Sequence, residues 1–242
     1  MKKFSKILSV ITAAAAALTL TVTAWADYGS VTVMGDSIAT GYGLDGYTSG
    51  DNYSAAESFG SIISGGCYSY LNLAVDGRTT GGLIDALESE LADAVTRSDQ
   101  VIVSIGGNDF LQPMQAALYA KAMEDPDLLS KIMAGEIDQS ELMNYMQGFF
   151  ADALAAAGNV DASAVAANIR KITDDIAYLN SSCEIFLFTV YNPFENIEGA
   201  EEAYALAEAK LGELNSGISA MEGGNIHVVD VNGAFKGHAL EY

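Results

Sequence analysis

Five short apolar runs punctuate the chain: Ser30–Met34, Tyr70–Val75, Gln100–Ile105, Glu184–Val190 and Ile226–Val231. Most of their residues are β-branched or aromatic, and the runs are continuously apolar rather than alternating. Parallel strands buried on both faces read this way. Helical patterns separate them. Leu83, Leu87, Leu91 and Val95 recur as one apolar stripe with acids on the other face. Tyr204–Leu214 is a second helical stretch, rich in Ala, Leu and Glu. Repeated strand–helix units predict a doubly wound, three-layer α/β/α domain on a parallel sheet, with right-handed crossovers.

The connection after the third run is long, with a helical insert over about 111–180. Asp125-Pro126 reads as an N-cap followed by proline at the first helical position. Asp138 and Glu141 have the spacing of a capping pair, and Asp161 opens a helix with Val165, Ile169, Ile172 and Ile176 inward. The insert is expected to form a small helical layer over the carboxyl edge of the sheet. A stripe at Met143, Met146, Phe149 and Phe150 fits an acyl-binding groove and fits ordinary helix packing equally well. Glu198 to Glu202 is an acidic run expected to face water. There is no internal repeat, low-complexity linker or sign of a second domain.

The N-terminus has a different composition. Lys2, Lys3 and Lys6 precede an alanine-rich apolar run, Ile7–Ala24, and Ala24-Trp25-Ala26 supplies the small-x-small pattern of a signal-peptidase site. Residues 1–26 are therefore expected to be a signal peptide cleaved after Ala26, which makes the protein secreted and leaves a domain over 27–242. Cleavage would leave 216 of the 242 residues, enough for one α/β domain with a sizeable core. Three lysines and no acids leave with it, so the formal charge goes from −21 to −24. So acidic a surface repels nucleic acid and anionic membranes. No later segment has the roughly 20 continuous apolar residues of a bilayer span, so no stable membrane insertion is expected.

Three loops at predicted strand ends carry the candidate chemistry. Gly35-Asp36-Ser37 presents a serine hydroxyl at the carboxyl edge of the first strand, where ligands gather in open α/β sheets. The run Asn72-Leu73-Ala74-Val75-Asp76-Gly77-Arg78-Thr79 follows the second strand, and Gly77 can bring a backbone N–H to a ligand without a side chain in the way. In Gly106-Gly107-Asn108-Asp109, two glycines open the backbone and Asn108 can aim an amide into the cleft. The N–H groups of Ser37 and Gly77 and the Asn108 amide together make an oxyanion hole. Loss of one such donor costs about 10²–10³ in rate. Asp36 is assigned a structural role at the turn and Asp109 a capping role. Phosphate binding at Gly-Asp-Ser is disfavoured, because the loop lacks a P-loop's lysine and glycine spacing and Asp36 would repel an anion.

Gly-Asp-Ser, N-x-A-x-x-G-x-T and Gly-Gly-Asn-Asp, in this order, resemble the motifs of the SGNH (GDSL) hydrolase family. Tyr191-Asn192-Pro193-Phe194 is similar to its lipase-like, lysophospholipase-like bacterial members. The likeness spans the chain beyond the leader. It implies the flavodoxin-like strand order 2-1-3-4-5, Ser37 as nucleophile, Gly77 and Asn108 as oxyanion donors, and a small ester or lipid as substrate. Such a mechanism needs no metal or organic cofactor. With that order, two strands separate Cys67 from Cys183. Three spacings of about 4.8 Å exceed the roughly 7 Å a disulfide tolerates, so both thiols are expected to be unpaired.

One family element is missing. The resemblance implies D-x-x-H after the fifth strand, with His as base and Asp orienting it. The chain has only His227 and His238, and Gly224 and Phe235 stand where the aspartates would be. His227 lies within a strand and reads as structural. His238 lies in a stretch similar to the segment just upstream of the missing motif and is the one candidate base. The absence reads as a domain incomplete at its C-terminus, lacking a last helix whose loss would bare an apolar patch. A divergent, non-catalytic relative fits less well, because the oxyanion loops are intact. A serine without a base is a poor nucleophile, so this chain is expected to be a weak or inactive secreted serine esterase or lipase-type hydrolase. The alternative is a non-catalytic protein binding a lipid or an acylated glycan in the same cleft. Oligomeric state is not legible.

Overall fold

The computed structural model describes residues 29–48, 57–65, 69–124, 139–197 and 199–238, with the backbone alone described at 122, 139–147 and 149. Residues 1–28, Cys67, Asp125-Pro126 and the Asp138 cap lie outside this set, so the leader and those local expectations do too. Five strands form one parallel sheet in the order β2-β1-β3-β4-β5. They are β1 (Ser30–Gly35), β2 (Ser69–Asn72), β3 (Gln100–Ser104), β4 (Glu184–Phe188) and β5 (Ile226–Val229). Each matches a predicted run; β2, β4 and β5 stop two or three residues earlier than the apolar run does.

Alternation divides the sheet into two apolar faces. On one, Val31, Val33, Ile102, Phe186 and Phe188 pack with helix α2 (Phe59–Ile63), where the Phe59 and Phe188 rings lie 5.0 Å apart. The opposite positions, Met34, Val101, Val103, Ile185 and Leu187, are fully buried. Helices α3 (Thr80–Leu87), α7 (Ala162–Leu179) and α8 (Glu201–Ser219) pack on one another and bury Leu83, Leu87, Ile169, Ile172, Ile176, Leu214 and Ile218. Each such side chain contributes roughly 1.5–3 kcal/mol of hydrophobic stabilisation. Helices α7 and α8 come so close that a methyl on Gly217 would stand 2.7 Å from that of Ala166.

The stripe from Leu83 to Val95 is two helices. Between α3 and the short α4 (Ala92–Thr96), the Ser89 hydroxyl takes the Asp85 carbonyl at 2.8 Å, and Leu91 N–H reaches back to Ala86 at 2.9 Å. The side chain thus competes for helix carbonyls and bends the chain. All four apolar residues still end up buried.

Two compact units make up the chain: Met1–Gly106 with Ala162–Tyr242, and Gly107–Asp161. The second contains two helices packed on each other, α5 (Gly107–Glu124) and α6 (Gln139–Gly158). This unit spans 107–161, and the helical insert read from the sequence spans about 111–180. Helix α7 falls in the unit that holds the sheet, and its stripe of Val165, Ile169, Ile172 and Ile176 is buried. Of the Met and Phe stripe only Phe150 has a described side chain, and it is partly exposed. Glu201 and Glu202 are exposed in the first turn of α8. Among the described residues no helix is long and apolar enough to cross a membrane.

Candidate active site

Strand β1 stays against β3 to its last residue. Gly35 has φ +151°, and a Cβ there would stand 2.0 Å from the Ser104 carbonyl oxygen, so this position admits only glycine. The next N–H, of Asp36, donates to the same oxygen at 3.3 Å. Asp36 is buried, and its carboxylate accepts the Ile38 N–H at 3.0 Å, making it the N-cap of the one-turn helix α1 (Ser37–Thr40). Its structural role is the one expected. Ser37, partly exposed, opens the helix. Its carbonyl accepts the Tyr42 N–H at 3.0 Å and the N–H of left-handed Gly41, with the Thr40 hydroxyl also 3.0 Å away. The serine's backbone is thereby held from both directions. Among the described residues its hydroxyl has no hydrogen-bond partner.

The second loop is laced to the first. Past β2 the backbone stays extended, with Leu73 N–H on Val33 O at 2.8 Å and Val75 N–H on Gly35 O at 3.0 Å. The Asn72 amide donates to Ala39 O at 2.8 Å. A turn then closes with Arg78 N–H on Val75 O at 3.1 Å, and its third residue is Gly77, φ +74°. Among the described residues beyond its chain neighbours, nothing lies within 4 Å of where a Gly77 Cβ would be. The Arg78 guanidinium anchors the turn, donating to Leu73 O at 3.1 Å and to Glu90 at 2.8 Å, and Thr79 caps α3. Asp76 accepts the Thr40 hydroxyl at 2.7 Å and the Tyr47 hydroxyl. Sequence reasoning passed over Asp76 because it fills a variable position of the motif; its partners lie 36 and 29 residues away.

At the third loop Gly106, φ +117°, is hemmed by Leu214, Val190 and Ile169, with 3.4–3.6 Å left for a Cβ. Asn108 and Asp109 stand in the first turn of α5. Because that helix starts at Gly107, Asp109 is not its cap; its charge sits where the helix dipole favours an anion.

The β4 and β5 edge brings the chain's last described residues to the same side. Tyr191 stacks on Phe235 with ring centroids 4.7 Å apart. Burial raises the Tyr191 hydroxyl above its ordinary pKa, and the Asp36 charge adds to the rise, so Tyr191 stands within electrostatic reach of the serine turn. Thr189 donates to Asp230 at 3.2 Å, and Glu195 accepts the Gly237 N–H at 2.8 Å. His238 follows, exposed, and no hydrogen bond joins it to Ser37. His227 lies elsewhere: its Nε2 is 2.6 Å from Glu184 and its ring stacks on Phe186, a structural position. Among the described residues no cluster of His, Cys, Asp and Glu could hold a metal ion. Cys183 is a buried free thiol, and the sheet order does place two strands between β2 and β4.

A model of the GDSL-like lipase/acylhydrolase family matches residues 33–242, from mid-β1 through all three loops. The chain belongs to that family. Solved structures share the GDSL fold with it. A lipase from a goat rumen metagenome is 20% identical with TM-score 0.54, covering 87% of this chain and 84% of its own. An extracellular lipase from Streptomyces rimosus is 20% identical with TM-score 0.59, covering 87% and 83%. A phospholipase A1 from Streptomyces albidoflavus is 19% identical with TM-score 0.58, covering 87% and 82%. No curated protein matches the sequence. In this GDSL chain the serine of the Gly-Asp-Ser motif lies at the carboxyl edge of β1, the first strand of the family's sheet.

Proposed function

We propose that the protein is an exported serine hydrolase of carboxylic esters, with Ser37 as nucleophile and an acyl-enzyme intermediate. The observation that carries this reading is the capped turn that fixes the Ser37 backbone while leaving its side chain partly exposed. Gly77 N–H and the Asn108 amide are the proposed oxyanion donors beside the Ser37 N–H. For Gly77 the support is the motif and the left-handed turn at φ +74° that admits a glycine; for Asn108 it is the motif alone. The leader at 1–26 supports export. Ile38 follows the serine, Tyr42 donates its N–H to the Ser37 carbonyl and Val75 donates to Gly35; exposed by 49%, 68% and 48%, they would offer apolar surface to an acyl chain.

The base is the weak element. His238 is its one candidate, joined to Phe235 by its N–H on the Phe235 carbonyl at 2.9 Å, with Phe235 stacked on Tyr191. Turnover by this chain is accordingly expected to be low. The Ser37 hydroxyl, without a hydrogen-bond partner among the described residues, favours one second reading, a non-catalytic protein that binds a lipid or an acylated glycan. Hydrolysis of short-chain p-nitrophenyl esters, abolished by Ser37→Ala, together with fluorophosphonate labelling of Ser37, would bear out the hydrolase. Saturable lipid binding with neither turnover nor labelling would replace it with the binding protein.

A further inference from the structure

The Gly77 N–H belongs to the planar Asp76–Gly77 peptide, so whatever holds Asp76 sets the direction in which that N–H points. Asp76 is held at both carboxylate oxygens, Oδ1 by the Thr40 hydroxyl at 2.7 Å and Oδ2 by the Tyr47 hydroxyl. Thr40 has one proton and two acceptors in reach, Asp76 Oδ1 at 2.7 Å and Ser37 O at 3.0 Å. A carboxylate is the stronger acceptor, and the Ser37 carbonyl keeps the backbone donors of Gly41 and Tyr42. Tyr47 is itself steadied by an edge-on contact with Tyr42, ring centroids 5.3 Å apart. The next residue is a glycine at φ +74°, in the turn that the Arg78 N–H closes on Val75 O at 3.1 Å.

We propose that Asp76 is a positioning residue, which with Tyr47 and Thr40 turns the Asp76–Gly77 peptide so that its N–H meets the oxyanion formed at Ser37. This rests on the reading of Ser37 and Gly77 given above and deepens it. Thr40 closes the helix that Ser37 opens, so one carboxylate ties the donor to the same short element as the nucleophile. A purely structural brace would stabilise the loop without any preference for the oxyanion.

The test compares Asp76→Ala, Tyr47→Phe and the Tyr47→Phe/Thr40→Val pair with the parent chain and Ser37→Ala. Each is assayed on a p-nitrophenyl ester and its thionoester, whose sulfur is a poor hydrogen-bond acceptor. Asp76→Ala is expected to lower kcat on the oxoester about 10²-fold, approaching loss of a whole oxyanion donor, with KM within about twofold. The thionoester should lose far less, so the oxo-to-thiono ratio collapses. Tyr47→Phe should fall about fivefold on the oxoester, the worth of one hydrogen bond, and adding Thr40→Val should approach Asp76→Ala. Tyr47→Phe keeps the ring against Tyr42, so the question survives if Asp76→Ala fails to fold. Equal losses on both substrates, a rise in KM alone, or unchanged oxoester kcat would overturn the proposal while an inactive Ser37→Ala left the serine reading standing. If the parent shows no hydrolysis, or Ser37→Ala retains it, the serine reading falls and this proposal falls with it.

Discussion

Gly35 ends β1 so close to Ser104 that a methyl group on it would stand 2.0 Å from the Ser104 carbonyl oxygen. Gly77, 42 residues further along the chain, has a left-handed φ of +74°, and among the described residues beyond its chain neighbours no atom stands within 4 Å of its Cβ position. Two glycines of one site are therefore required for different reasons, steric at Gly35 and conformational at Gly77. Gly35→Ala should cost on the order of 3 kcal/mol or more, because β1 must leave β3. Gly77→Ala should cost about 1–2 kcal/mol, the strain of a left-handed alanine. Urea unfolding midpoints decide this, and equal shifts would contradict it.

The charge of Asp36 is felt at Tyr191. Burial is the larger cause of that hydroxyl's raised pKa and Asp36 the smaller. Asp36→Asn keeps an oxygen for the helix cap and removes the charge, so Tyr191 should titrate at lower pH than in the parent, though still above an ordinary tyrosine. Carbon-13 NMR of labelled tyrosine, assigned with Tyr191→Phe, reads the shift. An unmoved titration would show that the two groups do not interact.

Cys183 should be inert. It is fully buried, and burial, with smaller contributions from the charges of Glu184 and Asp99, pushes its thiol from 9.0 up to about 12. A folded pKa raised above the unfolded one stabilises the fold below the unfolded value, and that contribution is lost as pH climbs toward the folded value. Between about pH 9 and 12 the parent should therefore lose stability that Cys183→Ala does not, on the order of a few kcal/mol. Thiol reagents at pH 8 should modify Cys183 only on unfolding. Rapid modification of the native protein would be incompatible with this burial.

His227 should be dispensable for chemistry. Its pair with Glu184 is 43% exposed on both sides, and pairs of that kind contribute about 0–1 kcal/mol. His227→Gln should leave ester hydrolysis unchanged and the unfolding midpoint nearly so. A loss of turnover at constant stability would reopen the search for the base.

Much of the site could be read without coordinates because its signals are local. A β-branched run stopping at glycine announces a strand end, and Asp36 before Ser37 announces a cap. The five strands were legible for the same reason. Their order was not in the periodicities; it followed from the resemblance, and the register confirms it. The break at Ser89 escaped a pattern of apolar spacing because all four stripe residues remain buried on either side of it.

The sequence by itself determined the class of fold, the three loops and the serine they present, since helix and strand periods and turn chemistry act over a few residues. Only the tertiary structure decided that Asp76 binds Thr40 and Tyr47, that Gly35 presses on Ser104, that Tyr191 lies near Asp36, and that Ala162–Leu179 packs with the sheet. Those relationships join residues brought together by strand register and helix packing, and no local propensity encodes a distance between segments tens of residues apart.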